Sequence, residues 1–334
     1  MSIEPSSPIT RVAVIEVSHW HALHDAAYVR HLADMSDVQL VGLQDPDARI
    51  AADCAAEVGQ PPTFTDYRQM LAETRPDFVM ALGRPSVMAE IAHYLLDQGY
   101  PFLMEKPMGL NAEQVHAIAE KADATGGFAA VPFAQRYQPV VKRARRMLAD
   151  GAFGVLSHLY FRLNRPTSAR YPAWGSPWML DPAVAGGGCL RNLGAHGLDF
   201  FMHLTGESAQ VIAAQLSWRA LGQPVEDYAS VLLRSESGIL GTVEVGNTFP
   251  GNGTDGEWKV AGRDAILALK DGVIRHLSAA GEESLPGQPD APLYLTALRD
   301  TLDCWRRAAA PPASAHDCYR AVRLIDQAYA LAAD

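Results

Sequence analysis

Four absences narrow this sequence before any motif does. Its 334 residues carry 28 Lys and Arg against 38 Asp and Glu, a formal net charge of −10, so it lacks the positive surface that nucleic acid or an anionic membrane requires. Its one basic cluster, Lys142, Arg143, Arg145 and Arg146, has helical spacing beside Met147 and Leu148 and reads as a solvated helix face. The four cysteines, Cys54, Cys189, Cys304 and Cys318, include no C-x-x-C pair and no zinc-site spacing, so reduced, buried thiols are expected. No window of about 18 uninterrupted apolar residues marks a membrane span, and Met1 to Thr10 has neither an apolar core nor a cleavage pattern; a cytoplasmic protein is expected. Repeats and low-complexity tracts are missing too.

What is present is the composition of a folded enzyme-like chain, 48% apolar and 20% charged, long enough for two cores of about 150 residues each. From Arg11 onward, short apolar runs (Arg11–Val17, Val38–Leu43, Phe78–Leu82, Phe102–Met104, Phe128–Val131) alternate with periodic segments (Ala22–Ala33, Ala48–Val58, Val87–Gln98, Ala112–Ala124). This β-α grammar predicts a parallel sheet with helices on both faces. After Asp150-Gly151 the grammar changes. Val155–Leu163, Gln210–Arg219, Tyr228–Arg234, Ile239–Val245, Glu257–Ala261 and Ala265–Leu269 alternate or are β-rich, which predicts a mostly antiparallel open sheet. Helices at Leu190–Leu204, Tyr294–Arg307 and Asp317–Leu331 would cover one of its faces, and Gly281–Pro292 reads as a loop. The expected fold class is α/β plus α+β, divided at 1–131 and 132–334.

Two segments carry chemistry. Met104-Glu105-Lys106-Pro107-Met108 follows a short apolar run, so its charged pair stands at a strand end, where open α/β sheets place ligand sites. Downstream runs Gly186-Gly187-Gly188-Cys189-Leu190-Arg191-Asn192-Leu193-Gly194-Ala195-His196-Gly197-Leu198-Asp199. A lysine aimed from a strand end stabilises a developing alkoxide, and a histidine, ionising near pH 6.5, suits proton removal from a hydroxyl. Between them Arg162, Asn164, Arg165, Tyr171, Trp174 and Trp178 mix aromatic faces with polar donors, a composition that suits a sugar ring.

With those residues in this order, the chain resembles the glucose-fructose oxidoreductase / inositol dehydrogenase / MocA (Gfo/Idh/MocA) family over essentially its full length. The resemblance implies an N-terminal Rossmann domain binding a nicotinamide dinucleotide and a C-terminal domain that shapes the substrate pocket and forms a homodimer or homotetramer through its sheet. It implies action on a secondary hydroxyl or carbonyl of a sugar, inositol or related polyol, with His196 as general base, Lys106 on the alkoxide and Asn192 beside them, and a cis peptide at Pro107. Cofactor contacts are expected from Ser18, His19, Trp20, Asp45, Leu82, Glu105 and Lys106, and substrate contacts from Arg162, Trp174, Trp178, Asn192 and His196. Neither nucleic acid nor a membrane is an expected partner.

The sequence departs from the family twice. Glu16, Ser18 and His21 stand where the G-x-G-x-x-G fingerprint has glycines for the tight turn, the approach to pyrophosphate and helix packing. A carboxylate at Glu16 opposes a phosphate, while a helix N-terminus capped by Ser18 would still attract one. Asp45, about 24 residues past the loop, suits a ribose hydroxyl and favours NAD over NADP. Asn192 stands where the family has aspartate, and an amide cannot act as a base. His19, His21 and His24 invite a metal reading, but no cysteine or carboxylate set completes it and no metal is expected. Two alternatives stay open: a non-catalytic sensor of the same fold, and an NAD-dependent glycosidase or lyase using transient oxidation.

Overall fold

The protein is described by a computed structural model that covers residues 9–333; the segment before Ile9, read above for leader signals, lies outside the described residues. Strands β1 (Thr10–Ile15), β2 (Val38–Gln44), β3 (Thr63–Phe64), β4 (Phe78–Ala81), β5 (Phe102–Met104) and β6 (Ala129–Ala130) form a parallel sheet in the order β3-β2-β1-β4-β5-β6. Such a sheet is covered on both faces, so its strands are continuous apolar runs: Val12 to Ile15 and Phe78 to Ala81 are fully buried. On one face pack the helices Pro85–Asp97 and Ala112–Thr125, through Ile91, Leu95, Val115 and Ile118. On the other, Val29 and Leu32 of the helix Tyr28–Asp34 meet Leu298 and Leu302. Those leucines belong to the helix Leu293–Arg306, which the chain sends back from its C-terminal half to close the first core.

Eight strands form the second sheet: β7 (Leu156–Asn164), β8 (Ala209–Ser217), β9 (Tyr228–Ser235), β10 (Leu240–Gly246), β11 (Asp255–Gly262), β12 (Ala265–Lys270), β13 (Val273–Ser278) and β14 (Gly281–Pro286). Their order is β14-β13-β12-β11-β7-β10-β9-β8, antiparallel except where β7 and β10 run parallel. One face is covered by the helices Ala195–Thr205 and Ala315–Ala332, and the alternation follows from that: Ala229, Val231 and Leu233 are buried while Leu232 between them is exposed. Gly197 permits the contact, since a Cβ there would lie 2.6 Å from the Phe161 ring and 2.7 Å from Val243.

Three expected elements change. The helix expected at Ala22–Ala33 begins only at Tyr28, because Asp25 and Ala27 adopt left-handed backbone and a short 3₁₀ turn, Trp20–Ala22, precedes them. The expected loop Gly281–Pro292 opens as β14, an edge strand with almost wholly exposed side chains that carries no period-two signal. The helix expected at Leu190–Leu204 starts as a π-helical turn, Leu190–Gly194, a wider winding that is often found at functional sites.

Candidate active site

Strand β5 is buried throughout and delivers Glu105 and Lys106 to the carboxyl edge of the parallel sheet, the expected side for chemistry. The Lys106–Pro107 peptide is cis, as the resemblance implied. Lys106 Nζ donates to the backbone oxygen of Asn192 at 2.9 Å and also to the Asn192 side-chain oxygen. The π-helical turn presents both acceptors together. Asn192 Nδ2 in turn donates to the Tyr171 hydroxyl at 2.6 Å. His196, one turn along, is 3% exposed, and its Nδ1 has no hydrogen-bond partner. Burial lowers the pKa of Lys106 against the opposing pull of Glu105. Burial, followed by the Lys106 charge, pushes His196 well below its ordinary value, which favours the neutral imidazole.

Glu105 is fully buried and bonded within the protein. Its carboxylate lies 2.7 Å from His21 Nδ1 and accepts from the Lys106 N–H at 3.1 Å. His21 Nε2 lies 3.5 Å from Asp25, and Asp25 is 3.3 Å from Arg165. Burial lowers the His21 pKa, but the two carboxylates more than offset it and the net shift is upward. Burial alone would raise Glu105; the His21 charge and hydrogen bond outweigh that and hold its pKa near 2. The result is a buried imidazole between two carboxylates, which together favour its protonated form. Donor atoms of His19, His21 and Glu105 lie within 4.8 Å of one another, so Glu105 supplies the carboxylate that the sequence reading lacked; in the arrangement described His21 Nδ1 is taken up by Glu105 at 2.7 Å and His19 Nδ1 by the His21 N–H at 3.1 Å.

The loop after β1 shows where the missing glycines lead. Glu16 adopts φ 57° and is buried, and its carboxylate accepts from Arg84 N at 3.0 Å, Nε at 3.0 Å and Nη2 at 2.7 Å. Asp45 turns one oxygen to the loop after β1, accepting from the Ser18 N–H at 2.8 Å, and the other to its own loop, accepting from the Asp47 N–H at 3.1 Å. His19, not Ser18, caps the turn Trp20–Ala22, and the Ser18 carbonyl accepts from Ser176 Oγ at 2.8 Å. Leu82 is fully buried and hydrogen-bonded to Ile15. Trp20 is 3% exposed, stacked on His19 at 3.9 Å and set 5.2 Å from the Tyr171 ring and 6.2 Å from Trp178. Burying an indole in this way contributes about 4 kcal/mol.

Of the expected substrate contacts, Asn192 is bonded to Lys106, His196 follows it one turn along, and Trp178 lines the same small cavity as Lys106. Trp174 stacks on His24 at 5.6 Å, further out along the loop. Arg162 does not reach the site: it alternates with the inward-facing Phe161 and Leu163 and is held on the opposite face by Asp255 at 2.9 Å. Nor do Gly187 and Gly188 meet a ligand, because a Cβ on either would collide with Tyr329 or Glu226 within the C-terminal half. Sequence reasoning missed Arg84 and Asp25. A buried carboxylate at Glu16 needs a cation, and the Gly83-Arg84-Pro85 turn at the end of β4 was its nearest candidate.

With this geometry in view, comparison with known proteins identifies the chain. Residues 11–133 match the model described as oxidoreductase family, NAD-binding Rossmann fold, and residues 141–268 match the GFO/IDH/MocA C-terminal domain. The chain belongs to the Gfo/Idh/MocA family of oxidoreductases. It is similar to inositol 2-dehydrogenase 2 of Saccharopolyspora erythraea, 25% identical over 296 residues that span 86% of this chain and 83% of that one. It is also similar to the scyllo-inositol 2-dehydrogenase (NAD(+)) of Bacillus subtilis, 26% identical over 73% of this chain and 70% of that one. A levoglucosan dehydrogenase solved with NADH and levoglucosan shares the fold at a TM-score of 0.85 and 20% identity, covering 97% of each chain.

As a Gfo/Idh/MocA oxidoreductase the chain carries the family's NAD-binding Rossmann domain, and in the arrangement described the space in front of Lys106 is narrow. The cavity between His19, Trp20, Trp178, Lys106 and Asn192 measures about 10 Å³, no more than one water needs. A larger hollow of about 390 Å³ opens beyond Asp25 and Arg165, with Gln135, Gln138, Trp258 and Tyr294 in its wall. Among the described residues, no helix is long and apolar enough to cross a membrane.

Proposed function

We propose that this oxidoreductase interconverts a secondary hydroxyl and a carbonyl on a sugar, inositol or related polyol, with NAD as its redox partner. The observation that carries this reading is the convergence of Lys106, Asn192 and Tyr171 from three separate segments onto one buried point, with His196 one turn along from Asn192. A buried ammonium is a strong electrostatic partner for a developing alkoxide. Asn192 holds it through two acceptors, which fixes its direction without adding charge. His196 is neutral, and its unpartnered Nδ1 is a proton acceptor aimed at no protein group. The charge of Asp45 at the end of β2 repels a 2′-phosphate, which favours NAD over NADP.

One observation favours a second reading, the non-catalytic sensor: the layer formed by Trp20 and Trp178 leaves no room for a ligand at Lys106. Kinetics of single variants distinguish the two. Under the redox reading, Lys106→Met and His196→Ala each lower kcat for a polyol by about 10²–10⁴ with the fold intact. Turnover unchanged in both variants would remove these residues from the chemistry.

A further inference from the structure

The strand order β3-β2-β1-β4-β5-β6 reverses direction between β1 and β4, and the crevice at that switch point is where an open α/β sheet binds its ligand. In this protein the crevice is filled by its own side chains. The Glu16 carboxylate accepts from three donors of Arg84, and Arg84 is the residue just before the 13-residue helix Pro85–Asp97. A carboxylate there sits at the positive end of that helix, beside a guanidinium, with the partners a phosphate would seek. Trp20, backed by His19 and Trp178, lies over Lys106 and Asn192 and reduces the space in front of them to about 10 Å³.

We infer that Glu16 and Trp20 are an internal occupant of the dinucleotide crevice, the carboxylate standing on Arg84 in place of a phosphate and the indole standing over Lys106 in place of the flat ring that must approach it. A dinucleotide then binds only by displacing both. The inference rests on the cofactor assignment made under Proposed function and adds that binding there is competitive within the chain. The segment that must move is defined at both ends. It begins at Glu16 and ends at Ala27, and these two residues and Asp25 hold left-handed backbone that L residues rarely adopt. Between them it is pinned to the rest of the protein by the contacts of His21 with Glu105, Asp25 with Arg165, and Ser18 with Ser176. Hinges are a few loop residues that absorb large φ/ψ changes, and the strained ends of this segment are where such a change would fall.

The test is calorimetric titration of the full chain with NAD and NADH, for the wild type, Trp20→Ala and Glu16→Gln, with circular dichroism to establish that each variant is folded. Because a core tryptophan variant can fail to fold, the wild type is also labelled with 5-fluorotryptophan. Its six indole signals are recorded with and without NADH, and Trp20→Phe identifies one of them. The inference predicts that each variant that folds binds at least tenfold more tightly than the wild type, and that NADH shifts the Trp20 signal of the wild type to a solvent-exposed position. Equal affinity in all three proteins, with an unmoved Trp20 signal, would overturn the inference and leave the oxidoreductase reading standing. No binding to any folded form would overturn both.

Discussion

Removing the His21 imidazole tests how the first loop is held. His21 and Glu105 are 3% and 1% exposed at their side chains and 2.7 Å apart, so solvent screens the pair little. Deleting one member of a buried ion pair strands the other, at a cost of about 3–5 kcal/mol. Glu105 keeps the Lys106 N–H and a nearby ammonium, which places His21→Ala at the lower end, about 3 kcal/mol. The pH dependence is specific. His21 has a raised pKa, so its contribution is complete below the unfolded value of about 6.5 and is lost as the pH rises through the higher folded value. Glu105 has a depressed pKa, so its contribution is complete above the unfolded value of about 4.3 and is lost as the pH falls through about 2. The pair therefore stabilises most between about pH 4.3 and pH 6.5. Urea unfolding followed by circular dichroism and by tryptophan fluorescence, at pH 5.5 and pH 8.5, compares wild type with His21→Ala and His21→Gln. The destabilisation is expected to shrink at the higher pH. A loss below about 1 kcal/mol, or the same loss at both pH values, would refute the imidazolium assignment.

Arg136→Ala leaves the buried Asp199 carboxylate without its 2.5 Å partner, and a loss of about 3–5 kcal/mol in urea unfolding is expected. Gly197→Ala forces a methyl against Phe161 and Val243, which costs about 1–3 kcal/mol and lowers Tm. Asn192→Asp sets a carboxylate beside Lys106 and removes the donor to Tyr171; the Lys106 pKa rises, and the alkaline limb of the pH–rate profile moves upward. Asp45→Ala removes the charge that opposes a 2′-phosphate, so the ratio of NADP to NAD affinity, measured by titration, increases; an unchanged ratio would remove Asp45 from cofactor selection.

The sequence made the β-α grammar legible because β4, β5 and the inner part of β1, Val12–Ile15, are buried on both faces and carry uninterrupted apolar runs. Strand β3 and the helix Tyr67–Thr74 were not seen, since a two-residue strand has no period to detect. Lys106, Asn192 and His196 were singled out because their segments have distinctive residue order; Lys106 is bonded to Asn192, and His196 follows one turn along. Arg162 was misplaced by composition: an arginine near a polar cluster says nothing of strand parity, and one residue decides which face it takes. The first loop held the largest surprise. The missing glycines were plain in the sequence, but that Glu16 would meet Arg84, 68 residues away, and that Trp20 would turn inward depend on contacts between segments that no local pattern encodes.

The most direct measurement is the appearance of reduced nicotinamide, followed by absorbance, when the protein and NAD are mixed with a panel of inositols, aldoses and anhydrosugars. The account predicts that at least one polyol is oxidised, and that this turnover disappears in Lys106→Met. Stoichiometric binding of NAD with no reduction by any polyol, or turnover that persists without Lys106, would contradict it.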